Sequence, residues 1–255
     1  MTNTTAVRRR PRWPWVVLVI VLVLGALVAV GELVARAAVP NTIRSLVISH
    51  LDLPADQQLD VQVPGVILPQ LISGTLDEVK LASDEVTIGG ITGSARVTAS
   101  EVPVSGGALG VAQGTVSVDQ DEFASLLDAS QLPVSGIELA APNATIEADL
   151  ELFGSRIPVG LTVTPAADDG DLLLTPVSLM FNGAAVDLDA VSGLAGAAGA
   201  AITEPQRICI ADRLPAGITL TGLRIEGSRA VADIAADGRI TVDSTLLDPG
   251  TCPRP

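Results

Sequence analysis

Apolar residues follow two regimes along this chain. From Trp15 to Val30 they run without a charge, with Gly25 as the only glycine, whereas beyond Leu59 they mostly alternate with polar ones. Continued through Gly31, Glu32, Leu33 and Val34, the first segment has 20 residues, enough at 1.5 Å per residue to cross about 30 Å of hydrocarbon. Arg8, Arg9, Arg10 and Arg12 stand before it and only Glu32 and Arg36 just after it. The positive-inside rule therefore predicts a cytoplasmic N-terminus, and Trp13 and Trp15 sit where an interfacial aromatic belt would lie. A cleaved signal peptide, with Ala35-Arg36-Ala37 as a small-x-small site, is the alternative; an apolar core this long favours a retained anchor. Either way the remainder is expected to be exported. The division is a basic leader at 1–14, a membrane anchor at 15–36 and an exported domain at 37–255.

In the exported part, Ile43, Leu46, Val47 and Leu51 recur at helical spacing, and Pro40 suits the start of that helix. A second helix is predicted at 120–129, with Asp119 as its cap and Phe123, Leu126 and Leu127 on one face. The Gly/Ala-rich stretch 190–203 fits either a helix or a loop. Period two dominates elsewhere. Leu59, Val61 and Val63 are interleaved with Asp60 and Gln62; Ile146, Ala148, Leu150 and Leu152 with Thr145, Glu147, Asp149 and Glu151. Ile157 to Val163 and Val186 to Leu188 continue the alternation, which is that of antiparallel strands with one apolar and one wet face. Gly89-Gly90, Asp169-Gly170, Asn182-Gly183 and Asp237-Gly238 fall between the runs, and each suits a two-residue hairpin turn. The class is mainly β with a few packed helices.

Charge changes the picture less than it first suggests. The chain carries 29 acids against 15 bases, a formal −14. Setting aside residues 1–36 leaves ten bases against 28 acids, or −18. That balance argues against nucleic acid, whose binding is driven by basic patches. Most of the acids fall on the wet faces of the predicted strands and need no other explanation. In an oxidising compartment, Cys209 and Cys252 are most simply one disulfide, tying the C-terminal tail to the body.

Chemistry is scarce. His50 is the only histidine, and no Gly-x-Ser-x-Gly turn accompanies a serine. Lys80 is the only lysine, and Asp77 stands where a Ser-x-x-Lys dyad needs its serine. Asp168-Asp169-Gly170-Asp171 lacks the spaced ligands of a calcium loop and reads as a turn. With five aromatic residues in all, sugar platforms and base-stacking grooves are poorly supplied. No catalytic residue, metal or cofactor is expected. The aliphatic surplus could line an apolar cavity, where each buried methylene contributes about 0.8 kcal/mol, or could close on itself as an ordinary core.

The block Gly65-Val-Ile-Leu-Pro-Gln-Leu-Ile-Ser-Gly-Thr-Leu-Asp-Glu-Val-Lys-Leu (65–81), the strands around it and Leu214-Pro-Ala-Gly-Ile-Thr-Leu-Thr-Gly-Leu-Arg-Ile (214–225) resemble the LmeA-like phospholipid-binding proteins of actinobacterial envelopes, over roughly 33–243. The resemblance implies an elongated, curved antiparallel sheet or β-barrel-like tubular fold, distantly similar to bactericidal permeability-increasing protein. It also implies phospholipid ligands, phosphatidylinositides among them, and a role in building envelope glycolipids. Ile67 departs from the aromatic residue expected in that block. Joined to the residue pattern, this points to a membrane-anchored, extracytoplasmic, non-enzymatic lipid-binding protein. Phe123, Leu126, Leu127, Leu179, Met180 and Phe181 are the candidate acyl-chain lining, and Arg96 and Arg224 the candidate head-group contacts, since arginine can fork to phosphate. The competing reading is a structural or partner-binding envelope module with a closed core.

Overall fold

A computed structural model describes residues 13–50, 58–88, 91–122, 135–152, 155–188 and 203–253. Helix α1 (Trp13–His50) is followed by β1 (Asp60–Gln62), α2 (Ile67–Ser73), β2 (Thr75–Ile88), β3 (Ile91–Pro103) and β4 (Val111–Asp119). Next come β5 (Gly136–Ala140), β6 (Asn143–Leu152), β7 (Ser155–Asp168), β8 (Asp171–Phe181) and β9 (Ala184–Val186). The chain ends with β10 (Gln206–Ile208), β11 (Ile218–Glu226), β12 (Arg229–Asp237) and short 3-10 turns. Strand accounts for 52% of the described residues, so the class is mainly β, as the alternation predicts. The strands form two antiparallel six-stranded sheets. Sheet A runs β1-β2-β3-β4-β12-β11; sheet B runs β10-β8-β7-β6-β5, with β9 also paired to β8. Among the described residues neither closes into a barrel.

The apolar helix is longer than its sequence pattern indicates. Pro40 lies inside α1 instead of starting a second helix, and the 38 residues extend about 57 Å. A proline leaves the carbonyl four residues back without its amide donor. Side chains reinforce the turn here: Asn41 Nδ2 donates to Ala37 O (2.8 Å) and Thr42 Oγ1 to Ala38 O (3.0 Å). Within Val17–Ile48 an 18-residue stretch has a mean hydropathy of 2.9, and α1 is long and apolar enough to cross a membrane. Its side chains are largely exposed up to Val34, and at Ala35, 7% exposed, they begin to be buried.

Burial at Ala35 is caused by α2, an element the sequence pattern does not predict. Ala35, Val63, Ile67, Leu76 and Val79 form one buried cluster, with Val39, Ile43, Val61, Leu71, Leu81 and Val102 packed around it. The N-cap residue of α2, Val66, offers no side-chain acceptor. Glu32 of α1 supplies it from a distance in sequence: its carboxylate accepts from the amides of Ile67 (3.0 Å) and Leu68 (2.9 Å). Arg36 pairs with the same carboxylate (2.8 Å) and donates to Gly65 O (2.8 Å). At the other end Gly74, with φ 83°, adopts the left-handed conformation that closes a helix. The buried Gln70 is satisfied by Pro64 O and the Asp77 amide.

Two of the Gly-containing turns are as expected. Asp169 and Gly170 (φ 51° and 88°) join β7 to β8, and Asn182 and Gly183 (φ 49° and 76°) join β8 to β9. Asp237-Gly238 is a correction. Asp237 there has φ −63° and caps a 3-10 turn, accepting from the Arg239 amide at 2.9 Å. Gly238 passes so close to Leu109 that a Cβ would meet its carbonyl oxygen, so the glycine serves packing, not a hairpin. Arg239 holds the Asp237 carboxyl down at about 2. The pair Gly89-Gly90, most of the helix predicted at 120–129, and the stretch 190–202 lie outside the described residues.

Cys209 and Cys252 are bonded, as the compartment argument predicts, with Cα atoms 5.8 Å apart. The link spans 43 residues, and replacing both cysteines by serine is expected to cost about 4 kcal/mol by the loop-closure argument. A fall in the urea midpoint would register this. An unchanged midpoint would mean that the tail is held by its backbone bonds alone, Ala216 N to Asp248 O, Gly217 N to Leu246 O and Gly250 N to Leu214 O.

Candidate functional site

Strand register sorts each sheet into an apolar and a polar face. On sheet A one row crosses all six strands: Val61, Leu81, Val97, Gly114, Ile234 and Leu220. A parallel row carries Ser83, Ala95, Val116, Ala232 and Leu223. On sheet B the row Ile137, Ile146, Leu161, Leu179 and Val186 crosses five strands. Period two in the sequence is the cause, because side chains two residues apart share a face and paired strands bring like rows into line.

The apolar faces are covered at two places. At the β1–β3 end, α1 and α2 pack on sheet A through the cluster around Ala35 and Ile67. At the far edge Ile225 and Ala230 of sheet A meet Leu139, Ala144, Val163, Ile137, Leu161 and Leu174 of sheet B. Between these clusters, Ala95, Val97, Val116, Ala232, Ile234 and Leu223 are only half-buried. An apolar strip therefore leads from the helix that is long enough to span a membrane towards the junction of the two sheets.

The candidate lining residues separate on this frame. Leu179 and Phe181 lie on the apolar face of sheet B, opposite Leu161 and Val159. Met180, opposite Gly160, turns to the other face. Phe123, Leu126 and Leu127 lie outside the described residues. Of their predicted helix the structure describes residues 120–122, where Gln120 Oε1 accepts from the Leu139 amide (2.8 Å) and Glu122 from the Thr92 amide (3.0 Å).

Arg96 and Arg224 share the polar face of sheet A, away from the apolar rows. Arg96 is opposite Ala82 and Thr115, pairs with Asp84 (3.6 Å), and lines a shallow recess of about 170 Å3 together with Asp60, Gln62, Lys80 and Thr98. Arg224 is held by Glu226 (2.6 Å) and Asp233. Those two acids, Glu226 first, raise its pKa above the ordinary value and keep it charged. A second recess of about 390 Å3 lies between the β7–β8 turn and the C-terminal tail, lined by Gly170, Leu214, Ile218 and Pro249 among others. Asp168 and Asp169 in that turn pair with Arg207. Among the described residues no group of three or more His, Cys, Asp or Glu is placed to hold a metal ion.

The residues missed by pattern reading are those of the central strip, Val97, Val116 and Ile234 above all. Their alternation was visible; that their strands are neighbours was not, because β4 pairs with β12 across more than a hundred residues.

Fold and faces together define a two-sheet protein with a long apolar surface and an N-terminal helix apolar enough to cross a membrane. A model of the family of LmeA-like phospholipid-binding proteins matches residues 29–232, and the chain belongs to that family. No curated protein and no solved structure matches. The matched region begins inside α1, just before Glu32, and so includes the joint between α1 and α2.

Proposed function

We propose that this protein is a membrane-anchored carrier that holds phospholipid outside the cytoplasm, with the acyl chains on the apolar strip of sheet A and the apolar rows of sheet B, Leu179 and Phe181 included. Its N-terminus is cytoplasmic and α1 is retained. What supports retention is the position of Glu32 and Ala35: cleavage after Ala37 would remove both the cap of α2 and a member of the buried cluster. The protein binds lipid rather than transforming it, and supplies it for the assembly of envelope glycolipids or for transfer.

The observation that carries this reading is the half-buried apolar strip in a chain of a phospholipid-binding family. A methylene taken from water contributes about 0.8 kcal/mol, so rows of aliphatic side chains bind an acyl chain without any motif. The test is solvent extraction of the detergent-purified chain, exchanged into lipid-free detergent, followed by mass spectrometry. Stoichiometric phospholipid is expected. A chain that retains none and takes up no fluorescent phospholipid would instead be a structural envelope module.

A further inference from the structure

Helix α2 is apolar on both sides. Ile67 and Gln70 face the core, and Leu68 rests against Gly31 of α1. The outer side carries Val66, Pro69 and Ile72 at three-residue intervals, all exposed. Ile72, at 80%, is more exposed than any large apolar side chain described within α1, where Trp13 reaches 77% and Leu33 69%. Val104, whose amide donates to Gly74 O at the end of α2, is itself 46% exposed and extends the patch. A helix apolar all round is normally buried or in contact with lipid, and a contiguous apolar patch on a surface marks an interaction site.

The height of α2 along α1 identifies the occupant. The apolar run of α1 that begins at Trp15 ends at Val30. Glu32, two residues on, holds the first turn of α2, and two residues correspond to about 3 Å of helix. Leu33 and Val34 of α1, 69% and 62% exposed, stand at the same level. The patch thus lies where the hydrocarbon gives way to head groups, and amphipathic segments at that depth bury their apolar side about 5–10 Å into the boundary.

We propose that α2 is an interfacial foot: Val66, Pro69 and Ile72 lie in the leaflet from which α1 emerges, and the Glu32–α2 joint holds the sheets directly on the lipid surface instead of on a free tether. This rests on α1 being a retained span. It places the start of the apolar strip beside the leaflet that would exchange lipid with it.

The full chain, reconstituted into vesicles of phosphatidylcholine and phosphatidylglycerol, tests it with an environment-sensitive fluorophore on single thiols, since the native cysteines are bonded to each other. Three sites are compared: Leu22→Cys within α1, Ile72→Cys on α2, and Asp84→Cys, whose side chain is 96% exposed and lies about 30 Å along β2 from the end of α2. Quenching by nitroxide-labelled lipid is expected at positions 22 and 72 and absent at 84. Quenching at 22 without quenching at 72 overturns the foot and leaves the anchor standing. No quenching at 22 overturns both. Ile72→Asp, at a position 80% exposed, is expected to leave the melting curve unchanged and to abolish quenching of a probe at Val66→Cys. Retained quenching there would overturn the proposal as well.

Discussion

Truncating Ile67 to alanine is expected to destabilise the protein by about 2–5 kcal/mol, the range for a large aliphatic side chain lost from a core that cannot collapse around it. Ile67 is 2% exposed, the most buried large side chain described, and sits between Ala35 of α1 and Leu76 and Val79 of β2. For a chain of this size the melting temperature should fall by roughly 5–15 °C. The internal control is five residues away on the same helix. Ile72→Ala removes a side chain of equal size that is 80% exposed, and in detergent micelles its effect should stay within about 0.5 kcal/mol. Thermal melts of the two variants side by side measure the difference. If both were neutral, α2 would not be packed on α1, and the joint through Glu32 would fail with it. The position where the family resemblance implies an aromatic residue is thus one of packing between helix and sheet.

What the sequence showed and what it concealed divide along the range of the interactions. Alternation made β6, β7 and the wet-face acids Glu147 and Asp149 legible, because a strand's faces are written in consecutive residues. Asp169-Gly170 and Asn182-Gly183 were legible for the same reason: positive φ at a turn is a local demand. Asp237-Gly238 uses the same dipeptide for another purpose, since the need for glycine comes from Leu109, far away in sequence. Helix α2 was hidden three times over. It is seven residues long, contains Pro69, and shows no stripe because both its sides are apolar. Its missing cap comes from Glu32, which on its own reads only as a charge flanking a membrane span. Pro40 misled in the opposite direction, as a start signal within a helix that continues through it. The candidate lining at Leu179 to Phe181 shows the limit most simply. Three adjacent apolar residues look alike in a sequence, yet a strand must turn the middle one, Met180, away from its neighbours.

A carboxylate placed in the apolar strip should empty the protein of lipid. Val116 stands near the middle of sheet A, between Ala95 of β3 and Ala232 of β12, half-buried and away from both covered clusters. In Val116→Glu an acyl chain lying on the strip would have to desolvate the charge, which is costly without a partner, and neighbours such as Ala95, Ala232 and Leu223 offer none. A loss of at least 1.4 kcal/mol corresponds to about a tenfold fall in affinity, so co-purified phospholipid should drop about tenfold or more. Gln113→Glu makes the same change in charge on the same strand but on the polar face, opposite Thr98 and Ala235, and should retain its lipid. The comparison separates the site from general acidity, which the wild-type chain already has in excess. It also separates the two sides of sheet A, because Arg96 and Arg224 lie with Gln113. If Val116→Glu folds with a cooperative melt and still carries lipid at the wild-type level, the acyl chains are not on this strip. Should Gln113→Glu instead be the variant that empties, the binding surface is the polar face around Arg96, and the apolar rows are simply core.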